Sequence, residues 1–397
     1  MKIFKEKELR TLWPFYLDSI LSPLLFFAPA FFIVFFAGLD LSFLQIGILM
    51  AMPAVTLLIF EIPTGAIADL YGRKFSVLIG YLLEGLAFLV LFFVRDYYLI
   101  LGIFAFYGFA ATLSSGSKEA WVIDLIKSKK KNFIHDFFVK TSFFDSSALI
   151  VSGILGAFLV KQYGVSIIFL FAFFSFIVSI LILLFAEEYY IRKKIKIKES
   201  FKGIFKQSKK SINYSRKHPV LAYFLLAGFF IVLAGAFSEQ ISWVPFLQSL
   251  EFPDYAFGYL FSGLLAITAI APFFAKLFLK KGKEVAFFIK MSLIGTGLFL
   301  LVYFANIWAV AILILFVSEF FWEIQTPVSQ TFFHKFIPNK MRATVGSFKS
   351  MIYSVAAIIS LPIAGWLVDL IGGRYVIMIS GIVALPGILF YLKIKQK

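Results

Sequence analysis

Apolar runs longer than a soluble core can use recur along this 397-residue chain, and they fix the solvent in which it folds. Run after run exceeds about 18 residues with hardly a charge, the length a helix needs to cross roughly 30 Å of hydrocarbon. Inside such a layer every backbone amide must find its partner within the protein, so only helices or a closed barrel can span it. Alternating ten-residue strands are absent, which argues against a barrel. Only 15% of the residues are charged and 61% are hydrophobic, whereas a soluble domain carries about 25% charged residues.

The pattern predicts twelve spans, over 12–38, 42–69, 75–94, 97–124, 138–162, 165–187, 219–248, 255–280, 284–304, 306–334, 342–371 and 373–394. Of the 38 Lys and Arg residues, only Arg95, Lys161 and Arg374 fall in one set of alternate loops. That asymmetry is the positive-inside pattern. It predicts a multi-pass protein of the cell (inner) membrane with both termini cytoplasmic. The net charge of +16 is then a signal for lipid headgroups, and no nucleic-acid partner is expected. The charged start MKIFKEKELR precedes an apolar stretch too long for a signal peptide, so a retained first helix is expected. With no cysteine, disulfides and thiolate metal sites are excluded. His135, His218 and His334 are too scattered to suggest a metal site, and no cofactor is expected.

The segment 188–218 holds eleven Lys or Arg and is too polar to cross a bilayer. Its Phe201, Ile204 and Phe205 suggest a short amphipathic helix on the cytoplasmic leaflet. It divides the chain into an N-terminal six-helix bundle (1–187), a basic cytoplasmic linker (188–218) and a C-terminal six-helix bundle (219–397). A faint repeat joins the halves: the stretch from Gly156 to Gly164 matches that from Ala364 to Gly372, and the hairpin at Gly72 has a weak echo at Gly282.

Between the second and third spans lies EIPTGAIADLYGRK, in which Gly65, Asp69, Gly72, Arg73 and Lys74 are spaced G-x-x-x-D-x-x-G-R-K. A charged hairpin between membrane helices needs these types. Gly65 admits a close neighbour. Asp69 puts an anion at a helix end, Gly72 makes the turn, and Arg73 and Lys74 hold it at the anionic face. This stretch resembles the signature loop of the major facilitator superfamily. The resemblance implies an all-α integral membrane fold of twelve transmembrane helices in two pseudo-symmetric six-helix bundles, mostly monomeric, with a central site exposed alternately to each side. It also implies a cytoplasmic gate, in which Asp69 meets the amino end of helix eleven near Arg342 and Arg73 pairs with an acid ending helix four. Asp124 is the candidate for that acid.

Ionisable side chains in a bilayer cost about 2.5–3.5 kcal/mol each, so they should face inward and serve a purpose. On the tenth span, Glu319, Glu323, Thr326 and Gln330 recur at helical spacing, which puts them on one face. Two carboxylates one turn apart repel, which suits a proton or a cationic substrate; ion pairs with Lys349 or Lys290 are the structural alternative. Asp18, Glu61, Lys118, Glu119, Lys140 and Asp145 suggest an internal ion-pair network in the cytoplasmic third, with structural or gating roles. Glu239 and Gln240 could line the opposite vestibule.

The chain departs from the proton-coupled exporters of the family at two places. Phe104 stands where they carry the Arg of R-x-x-x-G, and Ser152-Gly-Ile-Leu-Gly-Ala157 stands where they carry G-P-x-x-G-G. No P-loop, G-x-S-x-G or H-E-x-x-H occurs, so neither direct ATP coupling nor an enzyme is expected. The expected function is a secondary active transporter of a small organic molecule, working by proton-coupled export of amphipathic or cationic compounds. An uptake or facilitated-diffusion permease, or a non-transporting sensor or scaffold, is the alternative on the same fold.

Overall fold

The computed structural model describes residues 4, 8–129, 133–190, 214, 217–280, 282–338 and 341–394. They form helices joined by short turns, with no strand among the described residues. Eleven helical segments are long and apolar enough to cross a membrane: Glu8–Ala37, Phe43–Glu61, Arg73–Phe93, Tyr97–Ser128, Ile134–Tyr163, Pro219–Gln248, Asp254–Phe278, Glu284–Phe304, Trp308–Lys335, Val345–Ile371 and Gly373–Leu392. A shorter apolar helix, Ile167–Leu183, takes the place of the expected sixth span. Its 17 residues reach about 25 Å, less than the stretch 165–187 led us to expect. Numbered in chain order with this one, the segments are spans 1 to 12. The amphipathic helix expected around Phe201 lies outside the described residues.

Several spans are not single rods. A 3-10 turn at Ala28–Ala30 breaks span 1 around Pro29, and another at Ala271–Phe274 breaks span 8 around Pro272. Proline lacks the amide proton that would continue the ladder, so the chain tightens there instead. Span 4 turns at Gly116, whose φ of +68° suits a residue without a Cβ. Span 10 is interrupted between Glu323 and Thr326, where a second helix, Thr326–Lys335, begins. Span 7 widens into a π-helix over Ala236–Ser242. By contrast, Pro53 and Pro63 lie inside the unbroken helix Phe43–Tyr71, and Pro362 inside Arg342–Ile371.

The pseudo-symmetry is visible in the packing. Span 1 packs on spans 5 and 6, and span 3 on spans 4 and 6; in the second half, span 7 packs on 11 and 12, and span 9 on 10 and 12. Backbone conformation follows the same repeat. Gly72, Gly164, Gly282 and Gly372, all with φ between +73° and +103°, make the hairpins after spans 2, 5, 8 and 11.

By contacts the chain forms two compact units. One holds residues 1–35, 52–201 and 255–262; the other holds 36–51, 202–254 and 263–397. The first has a core of Leu12, Phe15, Trp121, Val122, Phe137 and Leu183, with the Phe15 and Trp121 rings edge to face at 4.9 Å. The second is built on Phe224, Phe288, Met291, Phe332, Phe333 and Tyr391. Outward-facing residues are just as apolar: Phe273 is 82% exposed and Tyr98 77%. Such surface is tolerable against lipid and not against water.

Within the first unit, helix backbones meet where side chains are missing. A Cβ on Gly108 of span 4 would strike the Thr56 hydroxyl and come within 2.7 Å of Pro53 Cα on span 2. At Gly102, one and a half turns earlier, it would meet nothing within 4 Å. Gly108→Val should therefore destabilise the protein by about 1–3 kcal/mol through overpacking, while Gly102→Val stays near the parent. Thermal unfolding of the two variants in detergent checks this, and equal midpoints would contradict the packing account.

Candidate functional site

The signature hairpin is the first cluster. Span 2 continues as helix to Tyr71, Gly72 turns the chain, and the next helix starts at Arg73. Arg73 reaches Asp124 on span 4 at 3.2 Å, with both side chains partly exposed. Asp69 is half-buried and lines a cavity of about 460 Å³ with Arg73, Asp124, Lys127, Glu188 and Tyr190.

Lys74, expected to hold the turn at the anionic face, turns onto the backbone. Its ammonium donates to the carbonyls of Leu184 at 2.7 Å and Ala186 at 2.9 Å. Those carbonyls follow the carboxyl end of the helix Ile167–Leu183, where unsatisfied oxygens and the helix dipole both favour a cation. Glu188 returns the contact by accepting the Lys74 amide at 2.9 Å. Tyr190 donates its hydroxyl to the Leu70 carbonyl at 2.5 Å, and Trp121 donates to Glu187 O at 2.8 Å. The start of the mid-chain segment is thus strapped across the hairpin, a link that no local motif announces. Gly65 departs from expectation: a Cβ there would meet nothing within 4 Å, so close packing does not account for it here.

The second cluster lies inside the first unit. Asp18, 1% exposed, accepts from Lys118 at 2.5 Å and from the Ser179 hydroxyl at 2.6 Å. Asp145 sits beside Lys118 and Ser19. Three of the six ionisable residues expected to form one network therefore do so. Lys140 belongs elsewhere: it holds both oxygens of Glu8 at 2.7 and 2.8 Å, and Tyr16 donates to the same carboxylate. Glu61 and Glu119 are exposed and stand outside the network. Sequence reasoning passed over Glu84, which is 5% exposed on span 3 and accepts from the Ser114 hydroxyl at 2.7 Å. A lone acid within FSVLIGYLLEGLAFLV is the signal that could have found it.

The third cluster lies in the second unit, on span 10. Glu319 and Glu323 end the helix Trp308–Glu323 and are half-buried. Glu323 accepts from the Thr326 hydroxyl at 3.2 Å across the helix break. Among the described residues neither carboxylate pairs with a Lys or Arg. Lys349 instead sits over the rings of Phe333 at 4.8 Å and Tyr353 at 5.3 Å, a cation–π arrangement. Lys290 is exposed. Gln330, beyond the break, is exposed as well, so the single face expected for the four polar residues is interrupted after Glu323. Glu239 lies in the π-helical part of span 7, and its side chain is outside the described ones. No group of three or more His, Cys, Asp or Glu suited to a metal ion occurs among the described residues.

Helical spans, the repeat and the signature hairpin can be set against known proteins. The sequence profile of the Major Facilitator Superfamily matches residues 15–348 and again 287–397. The chain belongs to this superfamily. It is 27% identical over 381 residues to YxaM of Bacillus subtilis (strain 168), an uncharacterized MFS-type transporter, covering 92% of this chain and 90% of that one. Among solved structures it is similar to the nucleoside transporter NupG, with a TM-score of 0.76, 12% identity, and coverage of 96% of this chain and 99% of that one. A bacterial homolog of the human lysosomal transporter Spinster, in an inward-facing, unoccupied conformation, gives a TM-score of 0.73 and 11% identity over 98% and 97% of the two chains. These likenesses show the fold; the superfamily makes the chain a multi-pass membrane transporter with a small-molecule substrate.

The buried pair in the first unit gives a direct test of its structural weight. Removing one partner strands a charge, so Lys118→Met alone should destabilise by about 3 kcal/mol, the low end for buried pairs because the Lys118 side chain is 31% exposed. The double variant Asp18→Asn/Lys118→Met should recover most of that loss. Thermal unfolding in detergent measures both, and additive losses in the double variant would contradict the pairing.

Proposed function

We propose that this transporter is a proton-coupled exporter of small amphipathic or cationic organic compounds across the cell (inner) membrane, working by alternating access with both termini cytoplasmic. One observation carries the proposal: Glu319 and Glu323 stand one turn apart inside a membrane span, and among the described residues no cationic side chain pairs with either. In a medium of low dielectric, two adjacent carboxylates strongly favour taking up one positive charge. A proton and a cationic substrate can each supply it, and they exclude each other. Mutual exclusion at one acid pair is the minimal machinery of exchange, because each ligand shifts the equilibrium between states only by its differential affinity.

The other acids fill supporting roles in this scheme. Asp18, already saturated by Lys118 and Ser179, fixes spans 1, 4 and 6 relative to one another. Asp145 supplies a further carboxyl beside it. Gly65, Asp69, Gly72, Arg73, Lys74 and Asp124 form the cytoplasmic gate, and the exposed Glu61, Glu119 and Gln330 line the approaches. The working unit is a monomer surrounded by lipid.

Proteoliposomes with an imposed acid interior test the proposal. A lipophilic cationic dye should accumulate inside, and a protonophore should abolish the accumulation. E319Q or E323Q should lower the rate at least about tenfold and flatten its dependence on pH, since one titratable carboxyl is lost. Normal transport by both variants at every pH would overturn the assignment. Asp69→Asn should leave the protein folded in the membrane and slow turnover, and full activity in that variant would remove the gate role.

A further inference from the structure

The signature pattern occurs a second time, at the other end of the molecule's connectivity. Gly65-x-x-x-Asp69-Leu-x-Gly72 on span 2 is matched by Gly365-x-x-x-Asp369-Leu-x-Gly372 on span 11, followed by Arg73 in one case and Arg374 in the other. Both glycines that end the pattern have positive φ, +103° at Gly72 and +80° at Gly372, and both start the next helix. Asp369 lies in the last turn of the helix Arg342–Ile371, where the helix dipole disfavours an anion. Its own helix therefore does not account for it.

Its contacts do. Asp369 Oδ1 accepts the Phe43 amide at 2.8 Å and Oδ2 accepts the Leu44 amide at 2.9 Å. Those are the first two amides of the helix Phe43–Tyr71, which have no partner within that helix. The third, Gln45, is taken by the Ser42 hydroxyl at 3.2 Å, and Gln45 returns a bond to the Ser42 amide at 3.0 Å. The fourth, Ile46, reaches the Ser42 carbonyl at 3.0 Å. The amino end of span 2 is thus fully satisfied, half by its own capping box and half by a carboxylate from span 11. Below the contact the two backbones touch. A Cβ on Gly365 would strike the Phe43 carbonyl, and one on Gly47 would strike the Leu361 carbonyl. All these residues lie in the same compact unit.

We propose that Asp369 is a latch at the end of span 2 opposite the signature hairpin, the outer face in the topology proposed above, and that the carrier must release it to open its site outward. This rests on the alternating-access reading of the function. The carboxylate is bidentate and exposed to water, and among the described residues it bonds backbone amides alone, so the contact can break and reform without stranding a buried charge. On opening, the Phe43 and Leu44 amides exchange Asp369 for water.

The chain has no cysteine, which allows a single reporter. Ala364, 0% exposed and packed with Leu361 and Ala51 one turn below the latch, is replaced by Cys and labelled with a water-soluble maleimide on full-length protein in liposomes. Adding Asp369→Asn should raise the labelling rate roughly two- to thirtyfold, the range of a lost helix cap. Adding Ser42→Ala, which removes the capping box and leaves Asp369 in place, should leave the rate within about twofold. An unchanged rate with Asp369→Asn overturns the latch, and so does an equal rise in both variants, which would mean simple fraying. A364C with Asp69→Asn, at the opposite end of span 2, shows that the assay responds to the outer contact only if its rate does not rise. Labelling needs no substrate, so a rise without any proton-driven dye flux would sustain the latch and sink the exporter reading, and flux without a rise would do the reverse.

Discussion

A charge in hydrocarbon must find its partner inside the protein, and most of this structure follows from how each charge has done so. The backbone meets the same demand by closing its hydrogen bonds within helices. The ionisable side chains meet it in three ways. Asp18 takes a lysine and a hydroxyl from other spans, and Glu8 takes Lys140 of span 5 and the Tyr16 hydroxyl of its own helix. Lys74 and Arg374 take backbone carbonyls at helix ends. Lys349 takes aromatic faces. Among the described residues Glu319 and Glu323 take no cation, and Glu323 accepts only from the Thr326 hydroxyl of its own span.

The helix ends carry as much information as the middles. Helix termini expose four amides or four carbonyls that lipid cannot satisfy. At the signature hairpin those groups are met by Lys74, Glu188 and Tyr190 from two directions. At the far end of the same span they are met by Ser42 and Asp369. Gly72 and Gly372, both with positive φ, sit where one such end passes directly into the next helix. The repeat in the sequence is therefore a repeat of hairpins, and the contacts made by each copy differ.

The two halves share a packing scheme and not a chemistry. Spans 1, 3, 4, 5 and 6 contact one another as spans 7, 9, 10, 11 and 12 do. Yet the first half buries the ion pairs Asp18–Lys118 and Glu8–Lys140 along with Glu84, which accepts from a hydroxyl, while Glu319 and Glu323 of the second pair with no Lys or Arg among the described residues.

Much of this was legible in one dimension. Run length and the loop distribution of Lys and Arg gave the helical membrane class, because bilayer thickness and the surface potential act on composition directly. The turn at Gly72 was expected from the hairpin, and the family resemblance implied the contact that Arg73 makes with Asp124 at 3.2 Å. Spacing also put Glu319 and Glu323 one turn apart. What spacing could not give was the partner of each charge. Lys140 goes to Glu8, Lys74 to carbonyls of span 6, and Asp369 to the amides of Phe43 and Leu44, all chosen by which helix ends the fold brings together. Sequence decided that these segments are helices in lipid; the fold decided which of their ends and charges meet, because that depends on distances between residues hundreds of positions apart.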